Sequence, residues 1–352
     1  MGESIQCGEP AFPRRRSVDL PIQRDLYVRI ISKPAPPAGK ARRRWLMAIA
    51  FPLAFLLLAV ATIYLWPLGE DGLRRSSDRT LDFAAATAAA QQHVAQDTAD
   101  LTVLPKCRTQ FLTHGRRTAK AVLMLHGYTG CPGDFAEMAT TFFNQGYNVY
   151  LAREPRHGRV NEQAHQWVTA RELVDYADES ATVAAGLGDE FGVIGLSGGG
   201  SLATWLAEYR HDVRRVLVLS PFYRPNASQA PPALIKPMVV LWGRRVLPDR
   251  KNGDMYYSAL AQYLQVVANY RDRPVNDALT GVAVVISRHD DQIDLDEAIA
   301  IPERLAQVND IPLARYEIPD ELAIPHDVAS PDGLGPRAED FYARYAALYA
   351  GT

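Results

Sequence analysis

The sequence predicts an α/β fold, in which a mostly parallel β-sheet carries helices on both faces and follows one transmembrane helix. Three observations lead to this prediction. A long uncharged apolar run lies near the N-terminus, strand-like and helix-like segments alternate from Lys106 onward, and a glycine-rich turn with a serine at its tip joins a strand to a helix. Such alternation is typical of parallel sheets with helical crossovers.

The apolar run, Trp45–Trp66, has 22 residues, and a helix needs about 20 residues to span a bilayer. Aromatic residues at both ends suit the membrane interface, and Pro52 would kink such a helix without forbidding it. Two alternatives are a buried core helix and a cleaved signal peptide, the latter because Ala59–Ala61 resembles a cleavage site. The long basic stretch before the run is unlike an ordinary signal peptide and favours an uncleaved anchor over residues 45–66.

Charge around the run predicts its orientation. Residues 1–44 carry ten Lys and Arg against four Asp and Glu, and the cluster Lys40–Arg44 directly precedes the run. Because positive charge stays in the cytoplasm, we expect a disordered cytoplasmic tail over residues 1–44 and a periplasmic or extracellular domain. Arg74 and Arg75 weaken this bias. The net charge of −2 for the whole chain argues against nucleic-acid binding.

The rest of the chain divides into a spacer and one domain. Residues 67–104 are Ala-rich and predict a helical spacer capped at Ser77 or Asp78, and residues 105–352 suffice for a single core. The predicted strands are Cys107–Thr113, Ala119–Leu125, Tyr147–Ala152, Phe191–Leu196, Arg215–Ser220, Val282–Ser287 and Leu313–Ile318. The predicted helices are Phe135–Gln145, Asn161–Gly186, Ser201–Tyr209, Leu295–Val308 and Ala338–Tyr349. The proline-rich stretch 222–277 interrupts this alternation and predicts a lid-like insertion above the sheet.

The glycine-rich turn has the spacing Gly195-x-Ser197-x-Gly199. A serine on a sharp strand-to-helix turn has a strained backbone, and side chains two residues before or after it would clash with the adjacent strand and helix. The N-terminus of the following helix points at the serine and favours negative charge there. This pattern indicates a nucleophilic serine.

Further reactive residues follow other predicted strands. His126–Gly130 follows the second strand, His289–Asp291 follows the sixth, and His326 follows the seventh. In open α/β sheets the site lies beyond the carboxyl ends of the strands. The sequence therefore predicts a serine, an acid and a histidine at one edge of the sheet.

These motifs resemble the α/β-hydrolase family over Lys106 to Tyr349, and most closely the bacterial carboxylesterases and monoacylglycerol-lipase-like serine hydrolases. The resemblance rests on the HG-x-TG run at His126–Gly130, the GLSGG run at Gly195–Gly199, the D-x-x-I run at Asp290–Ile293 and the late His326. The order Ser197, Asp290, His326 is the order of the family's catalytic triad.

The resemblance implies a role for each member of the triad. Ser197 would attack a carbonyl carbon, His326 would accept its proton, and Asp290 would orient the histidine. His157 and His289 are the rival bases. For the acid, the alternatives are Asp291 and Asp294, and the family pattern, with an apolar residue three positions after the acid, selects Asp290 through Ile293.

The oxyanion hole needs two backbone N–H groups beside the nucleophile. Gly198, directly after the serine, would supply one of them, and Tyr128, after the His126-Gly127 pair, would supply the other. Cys107 and Cys131 would lie in an oxidising compartment, and a disulfide between them would hold the loop that carries Tyr128. Two buried thiols are the alternative.

The sequence therefore predicts a membrane-anchored serine hydrolase that cleaves a small-molecule or lipid-derived carboxylic ester through an acyl-enzyme. A peptidase or amidase on the same scaffold is the second enzymatic hypothesis. A catalytically silent binding module is a third, which the intact Ser, Asp and His set argues against. No cofactor or metal is expected, because the histidines lack ligand spacing.

Overall fold

The computed structural model describes residues 38–253 and 255–352, with side chains from Arg42 onward. The predicted N-terminal tail therefore lies mostly outside the described residues. The chain divides into two compact units, one ending at Leu57 and one running from Leu58 to the C-terminus.

Helix α1 spans Ala38–Leu65 and contains the predicted membrane-spanning run. Its segment Arg42–Leu65 has 24 residues and is long and apolar enough to cross a membrane. Its side chains are mostly exposed to the surroundings, which is costly in water and favourable in lipid. Membrane anchoring through residues 45–66 remains a prediction that this helix supports.

The segment predicted as a spacer folds onto the domain. Helix α2 spans Phe83–Ala99, and its N-cap is Asp82, whose carboxylate accepts the N–H of Ala85. This cap lies several residues after the predicted cap at Ser77 or Asp78. Ala86 and Ala90 of this helix are fully buried. Small side chains at this spacing form one flat helix face that can pack closely against a neighbour, so the Ala-rich composition reflects packing.

The domain is built on a seven-stranded sheet with the strand order β1-β3-β2-β4-β5-β8-β9. Every neighbouring pair is parallel except β1 and β3. A separate ribbon pairs β6 with β7. The strands are β1 Gln110–Leu112, β2 Thr118–Leu125, β3 Tyr147–Ala152, β4 Gly188–Leu196, β5 Val213–Leu219, β6 Lys251–Asn252, β7 Met255–Tyr256, β8 Gly281–Ser287 and β9 Leu313–Ile318.

Helices cover both faces of this sheet, as predicted. One apolar cluster packs α2, α4, α5, α7 and α8 on one face, and a second packs α3 and α10 on the other. The helices after α2 are α3 Ala136–Asn144, α4 Ala170–Ala185, α5 Gly198–Tyr209, α6 Pro232–Met238, α7 Tyr257–Val267, α8 Leu295–Val308, α9 Pro331–Leu334 and α10 Ala338–Ala350. The predicted α/β fold with a mostly parallel sheet is confirmed.

Two predicted elements are shorter than expected. Residues Pro105–Cys107 form a 3-10 turn, because proline fixes its own backbone and cannot donate to a sheet, so the first strand begins only at Gln110. Helix α4 begins at Ala170, where Thr169 and Glu172 form a reciprocal capping box. The residues before that cap lie in a loop and a short 3-10 turn.

The insertion between β5 and β8 has two parts. Helix α6, the following π-helical turn Val239–Gly243 and the β6–β7 ribbon lie toward the carboxyl edge of the sheet. Helix α7 instead belongs to the core, because Ala259 and Tyr263 are fully buried. The second part of the predicted lid is therefore a structural layer, although its Leu260 lines the cavity that contains Ser197. A lid role for the first part stays a prediction.

A disulfide joins Cys107 and Cys131, whose Cα atoms lie 4.5 Å apart. The bond links the turn before β1 to the loop after β2. Sequence reasoning left this pairing open because the separation of two cysteines is a tertiary property.

We expect the bond to persist in the isolated protein. A Cys7→Ser variant, denatured without reductant, should react with no thiol label, and should take up two labels after reduction. Mass spectrometry of the labelled protein gives the count. Two labels before reduction would show that the bond does not form.

Candidate active site

Ser197 stands at the tip of the turn between β4 and α5. Its backbone has φ 53° and ψ −118°, a conformation that costs a non-glycine residue about 1–3 kcal/mol. Three backbone hydrogen bonds hold it: its N–H donates to the carbonyl of Leu219, and its own carbonyl accepts from Ser201 and Phe222. The side chain is therefore presented at the carboxyl edge of the sheet on a fixed turn.

The flanking glycines are required by close backbone contacts. A Cβ atom at Gly195 would overlap the carbonyl oxygen of Gly199, and one at Gly199 would overlap the carbonyl oxygens of Leu125 and His126. Side chains at these two positions would therefore clash with the neighbouring strand and helix, as expected. Helix α5 can then approach β2 closely, which brings the loop after β2 beside Ser197.

The structure brings the three predicted triad side chains together. The Ser197 hydroxyl lies 2.8 Å from Nε2 of His326, and Nδ1 of His326 lies 2.7 Å from Oδ2 of Asp290. Asp290 is buried, whereas His326 is partly exposed toward the cavity. The second carboxylate oxygen of Asp290 accepts the N–H of Gln292. With Nδ1–H donated to the carboxylate, Nε2 is free to accept the serine proton.

The rival acids lie elsewhere. Asp291 is exposed. Asp294 caps helix α8 through the N–H of Glu297 and forms an ion pair with Arg224 at 2.8 Å. Ile293 is fully buried, which agrees with the expectation that this side chain anchors the loop register.

The rival bases are also placed away from the serine hydroxyl. His289 is exposed, and its Nε2 contacts the carbonyl of Asp320 at 2.9 Å. His157 is buried behind the loop that follows β2, and its Nε2–H donates to the carbonyl of Tyr128.

The two predicted oxyanion donors both line the cavity that contains Ser197. Within residues 38–253 and 255–352, neither the N–H of Tyr128 nor that of Gly198 donates to another protein group. Gly198 is the first residue of α5, where helical N–H groups have no partner in the helix. Two free donors beside a nucleophile are the elements of an oxyanion hole.

The cavity around Ser197 has a volume of about 240 Å³ and two chemically different sides. Lys106 and Asp134, paired at 2.9 Å, lie on the polar side with Asp327 and Asp332. The apolar side is formed by Phe222, Pro225, Met255 and Leu260. All four belong to the insertion, and sequence reasoning did not single them out because no motif marks a cavity wall.

A second cavity, of about 420 Å³, lies under the insertion. It shares Phe222, Pro225, Met255 and Leu260 with the first, so the two are contiguous. Its remaining walls come mainly from apolar residues of α6 and the turn after it, among them Leu234, Met238, Leu241 and Trp242.

Among the described residues, no group of three or more His, Cys, Asp or Glu is arranged to hold a metal ion. The triad geometry itself requires none.

Known proteins with related sequences match this chain. A family model described as serine aminopeptidase, S33, matches residues 116–294, more than half of the 352 residues. A thermostable monoacylglycerol lipase from Bacillus sp. (strain H-257) is 34% identical over 98 residues, which are 26% of this chain and 36% of that lipase. The match thus spans little more than a third of the relative's length.

Solved structures share the fold. A structure reported with the metagenome-derived lipolytic enzymes LipS and LipT has a TM-score of 0.53 at 17% identity, covering 71% of this chain and all of that one. The monoacylglycerol lipase of Paleococcus ferrophilus has a TM-score of 0.51 at 13% identity, covering 70% of this chain and all of that one.

The predicted resemblance to α/β-hydrolases of the esterase and lipase type is confirmed by these matches. Sequence and fold agree over the segment that carries the serine turn and the loop after β2. The chain belongs to the serine aminopeptidase S33 family of α/β-hydrolases.

Proposed function

We propose that this protein is a membrane-anchored serine hydrolase that cleaves carboxylic esters through an acyl-enzyme. The observation that carries the proposal is the continuous hydrogen-bonded series from Ser197 through His326 to Asp290, at 2.8 Å and 2.7 Å. This series ends beside two backbone N–H groups without a protein acceptor in the described ranges.

In the first half-reaction, the Ser197 oxygen attacks the ester carbonyl carbon while Nε2 of His326 takes the hydroxyl proton. The resulting oxyanion accepts hydrogen bonds from the N–H groups of Tyr128 and Gly198, and losing one such donor costs about 3 kcal/mol of barrier. The imidazolium then gives its proton to the departing alkoxide, so that an alcohol leaves and the acyl group stays on Ser197. The Asp290 carboxylate stabilises the imidazolium through Nδ1–H.

In the second half-reaction, water takes the place of the alcohol. His326 removes a proton from it, the oxygen attacks the acyl carbon, and the Ser197–acyl bond breaks as His326 returns the proton to the serine oxygen. The products are the carboxylic acid and the free enzyme.

The two-sided cavity supports a lipid-derived substrate. The contiguous apolar cavity of about 420 Å³ under the insertion suits an acyl chain. The polar side near Lys106 and Asp134 suits a hydroxylated leaving group such as an alcohol with further hydroxyls. A monoacylglycerol, the substrate class in the names of two similar proteins, has both features.

Contacts near the end of the apolar helix support action at a membrane surface. Tyr64, in the last turn of α1, donates its hydroxyl proton to the carbonyl of Ala233 in the insertion at 2.9 Å. The guanidinium carbon of Arg244 lies over the ring of Trp66, 5.3 Å from the ring centroid. A helix that ends at the insertion would hold the entrance of the cavity near the interface from which a lipid substrate diffuses.

Peptide hydrolysis is the second candidate, because the family description names an aminopeptidase. A carboxylate is a suitable acceptor for the ammonium group of an aminopeptidase substrate. On the polar side of the cavity, Asp134 is paired with Lys106, and Asp327 accepts from Ser330 and from the N–H of Ala329. Asp332, on the same side, is exposed, so the substrate panel below decides between ester and peptide.

The nucleophile is tested by Ser197→Ala with p-nitrophenyl esters of increasing acyl length and an amino-acid p-nitroanilide. We expect the wild-type protein to hydrolyse the esters and to react with a fluorophosphonate probe, and the folded variant to do neither. Hydrolysis of the anilide alone would favour the peptidase. A wild-type protein that neither turns over substrate nor takes the probe would favour a binding module.

The orienting acid is tested by a matched pair, Asp290→Asn and Asp291→Asn. Asparagine at the orienting position can keep the geometry yet lower kcat about 10⁴-fold, because the histidine takes the wrong tautomer. We therefore expect that loss for Asp290→Asn and at most a severalfold loss for Asp291→Asn, measured as kcat on one ester. The reverse order of effects would contradict the assignment of Asp290.

Topology is tested by protease treatment of spheroplasts that express the full chain. With the cluster Lys40–Arg44 on the cytoplasmic side, added protease should digest the domain and leave a short N-terminal fragment. A lysed sample is the control for total accessibility. A domain that resists protease until lysis would contradict the orientation, and a domain in the soluble fraction would contradict the anchor.

A further inference from the structure

Glu154 is a buried carboxyl group beside the oxyanion hole that the triad does not use. It lies two residues after the end of β3, and its side chain is 1% exposed. Oε2 accepts the hydroxyl proton of Tyr263 at 2.7 Å and lies 3.3 Å from Nδ1 of His157. Within the part of the chain that the structure describes, Oε1 has no hydrogen-bond partner. A buried polar group in this position needs a physical explanation.

Two hydrogen bonds through His126 connect the backbone of Glu154 to the peptide group that carries the N–H of Tyr128. The N–H of Glu154 donates to Nε2 of His126 at 3.1 Å, so the proton of this neutral imidazole is on Nδ1. Nδ1–H then donates to the carbonyl of Gly127 at 2.9 Å. That carbonyl belongs to the same peptide group as the N–H of Tyr128, and a bond to one end of an amide strengthens the donor at the other.

The side chain of Glu154 reaches the same loop through His157. Nε2 of His157 donates to the carbonyl of Tyr128. In the neutral imidazole this leaves Nδ1 as the acceptor, at 3.3 Å from Oε2 of Glu154 and 3.2 Å from the carbonyl oxygen of Pro155. A protonated Glu154 can donate its O–H to this nitrogen while the same oxygen accepts from Tyr263. An ionised Glu154 would place a carboxylate against the lone pair on Nδ1, which is unfavourable.

A third connection runs to the second oxyanion donor. The ring of Tyr263 lies directly against Gly198: a Cβ atom there would be 2.6 Å from Cε1 of Tyr263. The same ring packs edge-on against the ring of Tyr128, with centroids 5.8 Å apart. Both donor residues therefore contact the one side chain that Glu154 fixes by a hydrogen bond.

Among the described residues, the charged groups next to Glu154 are already paired or neutral. His126 and His157 face it from the loops after β2 and β3, and burial lowers the pKa of His126 to about 3 and that of His157 to about 4. Tyr128, Tyr176 and Tyr263 also lie near Glu154, and all are neutral at pH 7 because burial raises their pKa values. The ring of His165 stacks on that of His157, with centroids 5.2 Å apart.

Arg153 is adjacent in sequence, but its guanidinium pairs with Asp97 at 2.7 Å. Burial raises the pKa of Glu154 to about 8. Because this value lies above the usual one, the neutral acid is the form present at pH 7, and it ionises as the pH rises through about 8.

We propose that Glu154 is a positioning residue of the oxyanion hole, which in its protonated form fixes His157, Tyr263 and the loop of Tyr128, and which loosens the hole when it ionises. The part of this inference that concerns catalysis rests on the proposed function. A negative charge at this place also opposes the charge that develops on the oxyanion.

The decisive variant is Glu154→Gln, which keeps the shape but cannot ionise. With its amide nitrogen at the position of Oε2, it donates to Nδ1 of His157 and to the hydroxyl oxygen of Tyr263. We expect its kcat at pH 7 to stay within about threefold of the wild type, with KM unchanged. Wild-type kcat should fall as the pH rises through about 8, and this alkaline loss should be absent in the variant. An identical alkaline loss in both proteins would overturn the proposal.

Glu154→Leu removes the hydrogen bonds, and we expect it to lower kcat at least about tenfold with little change in KM, since the lost contacts support the transition state. If this variant does not fold, the pH profile of Glu154→Gln decides alone. The matched control is Glu208→Gln, whose carboxyl group is also buried with a raised pKa but lies near the C-terminal end of α5, where it accepts the N–H of Arg271. It should leave the alkaline loss unchanged.

Two readouts do not depend on ester turnover. Infrared difference spectra of wild type against Glu154→Gln should show the carbonyl band of a protonated carboxylic acid at pH 7, and lose it above pH 8. The rate of fluorophosphonate labelling of Ser197 should follow the same pH dependence. A missing band at pH 7 would overturn the inference, whereas absent ester turnover with the band and the labelling intact would contradict only the proposed function.

Discussion

The strained backbone of Ser197 is the constraint on which the rest of the site depends. A residue at φ 53° keeps that conformation only where its surroundings hold it. Here the carbonyl of Leu219 and the N–H groups of Ser201 and Phe222 do so. Because Gly195 and Gly199 carry no side chain, β2, β4 and α5 meet around this turn at backbone contact distance. The hydrogen bonds and close packing of the central sheet therefore offset the strain.

The contact at Gly199 also positions the loop of the proposed oxyanion donor Tyr128. Since Gly199 touches the carbonyl oxygens at the end of β2, the loop after β2 begins beside Ser197, and Tyr128 needs only a short turn to reach it. Several independent contacts then hold this loop: the disulfide at Cys131, and the hydrogen bonds from His126 and His157. A preorganised donor of this kind costs little reorganisation when charge develops.

The insertion combines two roles that its sequence does not separate. Helix α7 carries the buried Tyr263 that supports Gly198, so part of the insertion is as rigid as the sheet. Helix α6 and the following turn form the walls of an apolar cavity and contact the end of α1. The two parts also pack against each other, since Met238 and Val239 share an apolar cluster with Ala259 and Tyr263.

The sequence by itself determined the fold class, the serine turn and the order of the site residues, because strand and helix periods and glycine spacing are local properties. It also favoured Asp290 over Asp291, through the position of Ile293. Tertiary structure decided what depends on packing between distant segments: the pairing of Cys107 with Cys131, the docking of α2 through Ala86 and Ala90, and the burial of α7. Nothing in the sequence pointed to Glu154 and its partners His126, His157 and Tyr263, since a glutamate two residues after a strand is usually solvated. Only the packing of β2, β3 and α7 around Glu154 excludes water from its carboxyl group and thereby favours the protonated form.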